Sequence, residues 1–342
     1  MGRNRTKQRP EAETIAEFWQ WWTTARDGVA AAIANGTVRT YVDDLGGRVE
    51  AIHPDLQWEL APGGAGSEHA VVVTAGGHAE TRAPAARWLA AAPPADATWS
   101  YRSQRAADPD TFTATIELDG HKLELEQIRY DLTVDRPARQ VDVVCYHPGF
   151  AGLPDEVAGQ VTFLTLDWTL GESDAAVWVG EVAWTADAPA RPRTWQDLRH
   201  AVTAIAEDED DSWVLMEAEL PGGVPLLAAA ASPLRPARWP RFDLHVPVTL
   251  PFRAANEAGM PERDALEALR RFEDELTAAV AADGALVAHE TSRGRRTLHY
   301  YVDAQSGARA ALEARLDGWP AGRPVAEPNL DPAFDGVAHL MP

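Results

Sequence analysis

The chain is poor in cysteine, in lysine and in long apolar runs. Cys145 is the one cysteine among 342 residues, so no internal disulfide can form and a reducing, cytoplasmic setting is expected. Lys7 and Lys122 are the only lysines; every other basic residue is arginine. No apolar run approaches the roughly 18 residues that a membrane-spanning helix needs, which excludes that class. Residues 1–10 are basic and polar with no apolar stretch behind them, so they read as a disordered tail rather than a secretory signal. A phosphate-binding Gly-x-x-x-x-Gly-Lys loop, a dinucleotide fingerprint and a Gly-x-Ser-x-Gly elbow are all absent. A cysteine–histidine enzyme would have to use Cys145, whose surroundings read as buried and therefore inert.

What the chain has in excess is acid. Asp and Glu number 52 against 31 Lys and Arg, a net charge of -21. Such a surface repels the phosphate backbone, and no basic–aromatic interleaving offsets it, so no nucleic-acid partner is expected. It suits a basic protein partner instead, because charge complementarity raises association rates and specificity. The run Glu207-Asp208-Glu209-Asp210-Asp211 is the sharpest break in composition. Five adjacent carboxylates repel one another and cannot enter a core, so the run reads as a linker.

That break divides the chain into an N-terminal α+β domain over 11–206 and a second α+β domain over 212–342. In the first, Ile15, Phe18, Trp19, Trp22, Val29 and Ile33 fall at helical spacing, which predicts a helix over 12–34. A second helix is expected over 38–52 and a short one over 83–92. Strands are expected over 57–60, 69–74, 99–105, 111–118, 126–134 and 140–146. Residues 155–170 read as a helix buried all round, 176–184 as a central strand, and 194–206 as a helix capped by Thr194. In the second domain the pattern predicts strands over 212–220, 224–230 and 241–250. A helix over 261–282 follows, with Leu266, Leu269, Phe272, Leu276 and Val280 on its buried stripe. A hairpin over 285–302 turned at Ser292-Arg293-Gly294, a helix over 307–316 and a short strand near 324–327 complete it. The order β-α-β-β-α-β is ferredoxin-like.

Few residues suggest chemistry. Asp167 and Glu172 flank the end of a very apolar helix, where a carboxylate costs energy unless paired, so they are candidate acids. His289 and His299, with Glu290 and Tyr301, lie on one expected hairpin and could form an acid–base group. An ordinary polar sheet face with cross-strand pairs is the commoner outcome of that pattern. His289-Glu290-Thr291-Ser292-Arg293 opens like a zinc-protease motif but fails at its fifth position and falls on a strand. Cys145 and His147 share a strand face, yet no further ligand pair accompanies them, so no metal or other cofactor is expected. Trp21 lies off the stripe of its helix, and with Tyr301 it is the candidate for a binding surface.

The landmarks of residues 212–342 resemble a bacterial family catalogued as domain of unknown function 695. They are Trp213, Phe272-Glu273-x-x-Leu276, Gly294 followed by Thr297, Tyr300-Tyr301, Asp331-Pro332 and Pro342. Where that family tends to carry Trp after the Asp-Pro, this chain has Phe334. Phe18-Trp19-Gln20-Trp21-Trp22, Ile52-His53-Pro54 and Leu170-Gly171-Glu172 are similar to the segment often joined to that domain. The sheet also resembles, at the level of fold, the type B regulator of ribonuclease E activity, which implies a nuclease-binding inhibitor. The expectation is therefore a cytoplasmic, non-enzymatic protein-binding module, regulatory or immunity-like. The alternatives are a hydrolase with its site between the domains and a homo-oligomeric structural subunit.

Overall fold

A computed structural model describes residues 10–64, 66–118, 120–207 and 213–341. The expected tail at 1–10 lies outside these residues except for Pro10, and the expected acidic linker lies outside them except for Glu207. The chain is α+β, with several mainly antiparallel sheets. It separates into two compact units, within 10–105 and 106–341, so the boundary expected at the acidic run falls inside the second unit.

The first unit is built from α1 (Glu11–Ala34), α2 (Arg39–Ile52), β1 (Gln57–Pro62), β2 (His69–Thr74), α3 (Ala79–Ala90) and β3 (Trp99–Arg102). Its sheet runs β1-β2-β3, antiparallel then parallel. The stripe of α1 delivers Ile15, Phe18, Trp19, Trp22 and Val29 into a core that includes Trp88 and Trp99. The indole N–H groups are satisfied as burial demands: Trp19 Nε1 donates to the Trp88 carbonyl at 2.9 Å and Trp22 Nε1 to the Tyr101 hydroxyl at 2.9 Å. Gly46 survives inside α2 because Trp58 Nε1 would lie 3.3 Å from any Cβ placed there. The third helix starts four residues earlier than its Ala-rich pattern predicts and ends two residues sooner.

The second unit holds two sheets and a separate hairpin. The hairpin pairs β4 (Thr115–Leu118) with β5 (His121–Glu124), a strand too short and polar to read from sequence. The smaller sheet orders β6 (Arg129–Asp135), β7 (Gln140–Tyr146) and β8 (Val179–Thr185). Against it pack α4 (Asp155–Leu170), α5 (Glu172–Trp178) and α6 (Trp195–Ala206). Two expectations fail here. The central strand over 176–184 is instead the end of α5 followed by β8, which pairs only with β7 and is an edge. The helix expected to be buried all round leaves Phe163 54% exposed, because only one side of α4 meets the sheet. Thr194 does cap α6, in a reciprocal capping box with Asp197.

The larger sheet is seven-stranded and antiparallel. Its order is β14 (Val325–Ala326), β11 (Leu244–Pro251), β13 (Arg295–Val302), β12 (Gly284–Ser292), β10 (Val224–Ala231), β9 (Trp213–Leu220), with β15 (Asn329–Leu330) also paired to β11. The hairpin turns at Arg293-Gly294, both with positive φ (50° and 71°), the backbone a two-residue turn requires. On one face lie α7 (Arg263–Val280) and α8 (Ala308–Glu313); Leu269, Phe272, Leu276 and Val280 meet Val246, Val248, Leu298 and Tyr300. Leu266 is only half-buried, and Pro261 precedes the helix rather than opening it. On the outer surface of α7 Arg263 and Glu267 form an i,i+4 pair at 3.4 Å. The other face of the sheet is covered by residues 331–341, where Phe334, Val337 and Leu340 pack on Ala228, Ala230, Ala288 and Tyr301. The two sheets of this unit are tied together by Arg139, which donates to the Ile205 carbonyl at 3.0 Å and the Ser232 carbonyl at 3.3 Å. The Ser232 hydroxyl in turn donates to Pro137 O at 3.3 Å.

Candidate functional site

Strand alternation decides which hairpin residues meet. In the register of the larger sheet His245 pairs with Tyr301 and Pro247 with His299, so these side chains share the face away from α7. Glu290 joins them from β12, and Asp331 and His339 come from the segment that covers the face.

The six groups form a connected chain. The Tyr301 hydroxyl donates to Asp331 Oδ2 at 2.5 Å. His245 Nδ1 lies 4.0 Å from the same oxygen. His245 Nε2 meets His299 Nδ1 at 3.0 Å, and His299 Nε2 meets Glu290 Oε1 at 2.9 Å. His339 Nε2 reaches that same oxygen at 3.0 Å. An ionised carboxylate only accepts, so both histidines donate to Glu290 through Nε2. His299 Nδ1 is then bare and accepts from His245 Nε2–H. With neutral imidazoles this pattern fixes each tautomer.

Packing holds the chain in place. The His245 ring stacks on Tyr301 at 4.7 Å between centroids, and Tyr301 on Phe334 at 3.6 Å. Asp331 also accepts from the backbone N–H of Asp335 and of Gly336, both at 2.9 Å. Gly336 is obligatory: a Cβ there would stand 2.5 Å from His245 Nδ1. The electrostatics follow burial. Desolvation lowers the His245 pKa to about 4, with His299 adding to the effect and Asp331 opposing it. Its hydrogen bond from His299 holds Glu290 below the usual carboxylate range. Desolvation, then the bond to Asp331, holds the Tyr301 phenol far above its ordinary value.

Of the residues singled out from sequence, His299 and Tyr301 enter this network and His289 does not. Being one residue before Glu290, His289 points to the opposite face, where its ring stacks on Trp213 at 5.7 Å. Tyr301 is fully buried, so it is no contact surface. Asp167 and Glu172 are half-buried, on α4 and α5, around the smaller sheet. Trp21 is half-buried and lies under Arg48, whose guanidinium sits 4.5 Å from its ring centroid. His147 caps a short turn through Gly149 N and touches the Glu124 carbonyl, so both ring nitrogens are engaged locally. Sequence reasoning missed His245, Asp331 and His339. The alternation of the strand around His245 could have flagged the first; the other two become visible only when the covering segment folds back. Among the described residues no group of three or more His, Cys, Asp or Glu side chains is arranged to hold a metal ion.

The second feature of this sheet is its free edge. Among the described residues β9 pairs only with β10. Trp213 is 40% and Leu215 68% exposed, and Glu217 and Glu219 follow on the same face of the strand. An edge strand of eight residues with exposed apolar side chains is a template for pairing with another chain. No helix among the described residues is long and apolar enough to cross a membrane. Comparison of the chain with family models, with curated proteins and with solved structures finds no match.

Proposed function

We propose that the chain is a non-enzymatic, cytoplasmic protein-binding module, regulatory or immunity-like, that takes a basic protein partner along β9. The observation that carries this reading is the edge itself: a strand paired on one side alone among the described residues that presents Trp213 and Leu215 beside Glu217 and Glu219. A partner segment added as a further strand would gain main-chain hydrogen bonds for affinity and side-chain pockets for specificity. The net charge of -21 selects a basic segment and draws it in. The likeness to domain of unknown function 695 belongs to this reading. Its landmarks Tyr301, Asp331 and Phe334 meet around one ring stack. The strand order β14-β11-β13-β12, with α7 and α8 on one face, supports a ferredoxin-like unit extended by β10 and β9.

The test is capture of partners from native cytoplasm at low and high salt by the wild-type chain and by Leu215→Lys. A basic protein bound at low salt, lost at high salt and lost with the substitution supports the reading. A partner that tolerates both conditions excludes β9 and the charge argument together. One observation favours the hydrolase alternative: His339 is 53% exposed and oriented by Glu290, the arrangement of a general base. Hydrolase activity abolished in His339→Gln, with partner capture absent, would replace the binding reading.

A further inference from the structure

Residues 331–341 are held on the sheet by an apolar contact and by two hydrogen bonds, Tyr301 to Asp331 and His339 to Glu290, at the ends of a polar cluster in which His245 lies 4.0 Å from Asp331. With neutral imidazoles the bonds assign one tautomer to each ring. With Glu290 ionised, His299 and His339 both donate to it, and His245 donates to His299. Among the buried imidazoles an extra proton has one place to go without breaking a bond, His245 Nδ1; the exposed Nδ1 of His339 can take one while that ring still donates to Glu290. His245 Nδ1 is buried under Gly336, in space where not even a methyl group fits. A proton on Glu290 instead removes an acceptor on which two imidazoles converge.

We propose that this network is an acid-released clasp: at neutral pH it holds residues 331–341 on the sheet, and in mild acid it lets them go and uncovers the apolar face of β10 and β12. The face exposed would include Ala228, Ala230 and Ala288, with Phe334, Val337 and Leu340 on the departing side. This device is independent of the β9 edge.

The groups that face the titrating members come from each packed element. His245 on β11 is faced by His299 and Tyr301 on β13 and by Asp331 on the covering segment. His299 is faced by Glu290 on β12, and Glu290 by His339 on the covering segment. Asp335 adds a negative charge near Tyr301, and His289, on the opposite face, feels the charge of His299. The sign follows from linkage. His245 is kept neutral in the closed form down to a pKa of about 4, whereas a solvated imidazole titrates at about 6.5. The open form therefore binds more protons between those values, and the closed form loses ground as pH falls through that window. Glu290, held below its ordinary value, adds in the same direction. From pH 7 to pH 5 the His245 contribution alone shifts the balance about twenty-fold toward the open form.

Hydrogen exchange on the full chain reads this directly. Protection of the Asp335 and Gly336 amides, corrected for intrinsic exchange, is expected to fall about twenty-fold between pH 7 and pH 5, while the amides shared by β12 and β13 keep a higher protection. In His245→Gln, which still offers an N–H to His299, the pH dependence is expected to shrink to a few-fold. Gly336→Ala, which crowds His245, is expected to give the open pattern already at pH 7. Unchanged protection of Asp335 and Gly336 in acid overturns the clasp. So does protection of the Asp335 and Gly336 amides that matches that of the β12–β13 amides at pH 5, a full pH response in His245→Gln, or a closed pattern in Gly336→Ala.

Discussion

At the scale of single residues, the weight of the larger sheet rests on Asp331. One carboxylate takes the buried Tyr301 hydroxyl and two backbone N–H groups of the segment that follows it. Removing the acceptor leaves three donors in a dry place, and an orphaned donor costs more than its bond contributed. Asp331→Ala is expected to destabilise the protein by about 2–4 kcal/mol, read as a drop in the denaturant midpoint; a loss under about 1 kcal/mol would mean that water replaces the carboxylate. Trp213 and His289 illustrate the opposite logic. Their rings stack at 5.7 Å on the α7 face, at the margin where the helix no longer covers the sheet. Trp213 stays partly in solvent there, outside the core.

At the scale of elements, the long periodic helices were legible and the short connections were not. The stripes of α1 and α7 named their buried residues because period 3.6 repeats several times in each. Leu276 lies at the centre of the second stripe and is fully buried against the sheet. Leu276→Ala is expected to cost about 2–5 kcal/mol, measured by thermal or denaturant unfolding, with α7 intact by circular dichroism. Where local signals compete, tertiary contacts decided. Residues 175–184 are apolar but for Gly180 and Glu181, which reads equally as helix or strand. Gly171, at φ 81°, lets α5 start directly after α4, and the chain becomes β8 only where β7 offers a parallel partner. The strands β5 and β15 carry almost no pattern because they are short pieces paired at an edge or in an isolated hairpin.

At the scale of the whole molecule, pH acts through two histidines on opposite faces of one sheet. Desolvation brings both His245 and His289 to a pKa of about 4. Each is neutral in the folded state and protonates in the unfolded state at about 6.5, so the stabilisation is complete above that value and is lost as pH falls toward 4. Each contributes on the order of 3 kcal/mol across the window. Denaturant midpoints at pH 7, 5.5 and 4.5 are expected to fall by roughly 2–3 kcal/mol per pH unit near pH 5; a flat profile would show that neither imidazole is desolvated in solution.

The sequence by itself determined the lack of any long apolar run, the α+β alternation and the cores of the long helices. Those properties depend on composition and on periodicity within single elements, which are local. It also put His299, Tyr301 and Glu290 on one hairpin, because that pairing is local too. Only the tertiary structure decided that His245, Asp331 and His339 join them. Those three lie on strand β11 and on the segment folded over the sheet, and no local pattern encodes a hydrogen bond between residues that a chain reversal brings together. The same is true of β9, whose residues read as an ordinary strand until the sheet order leaves it on the edge.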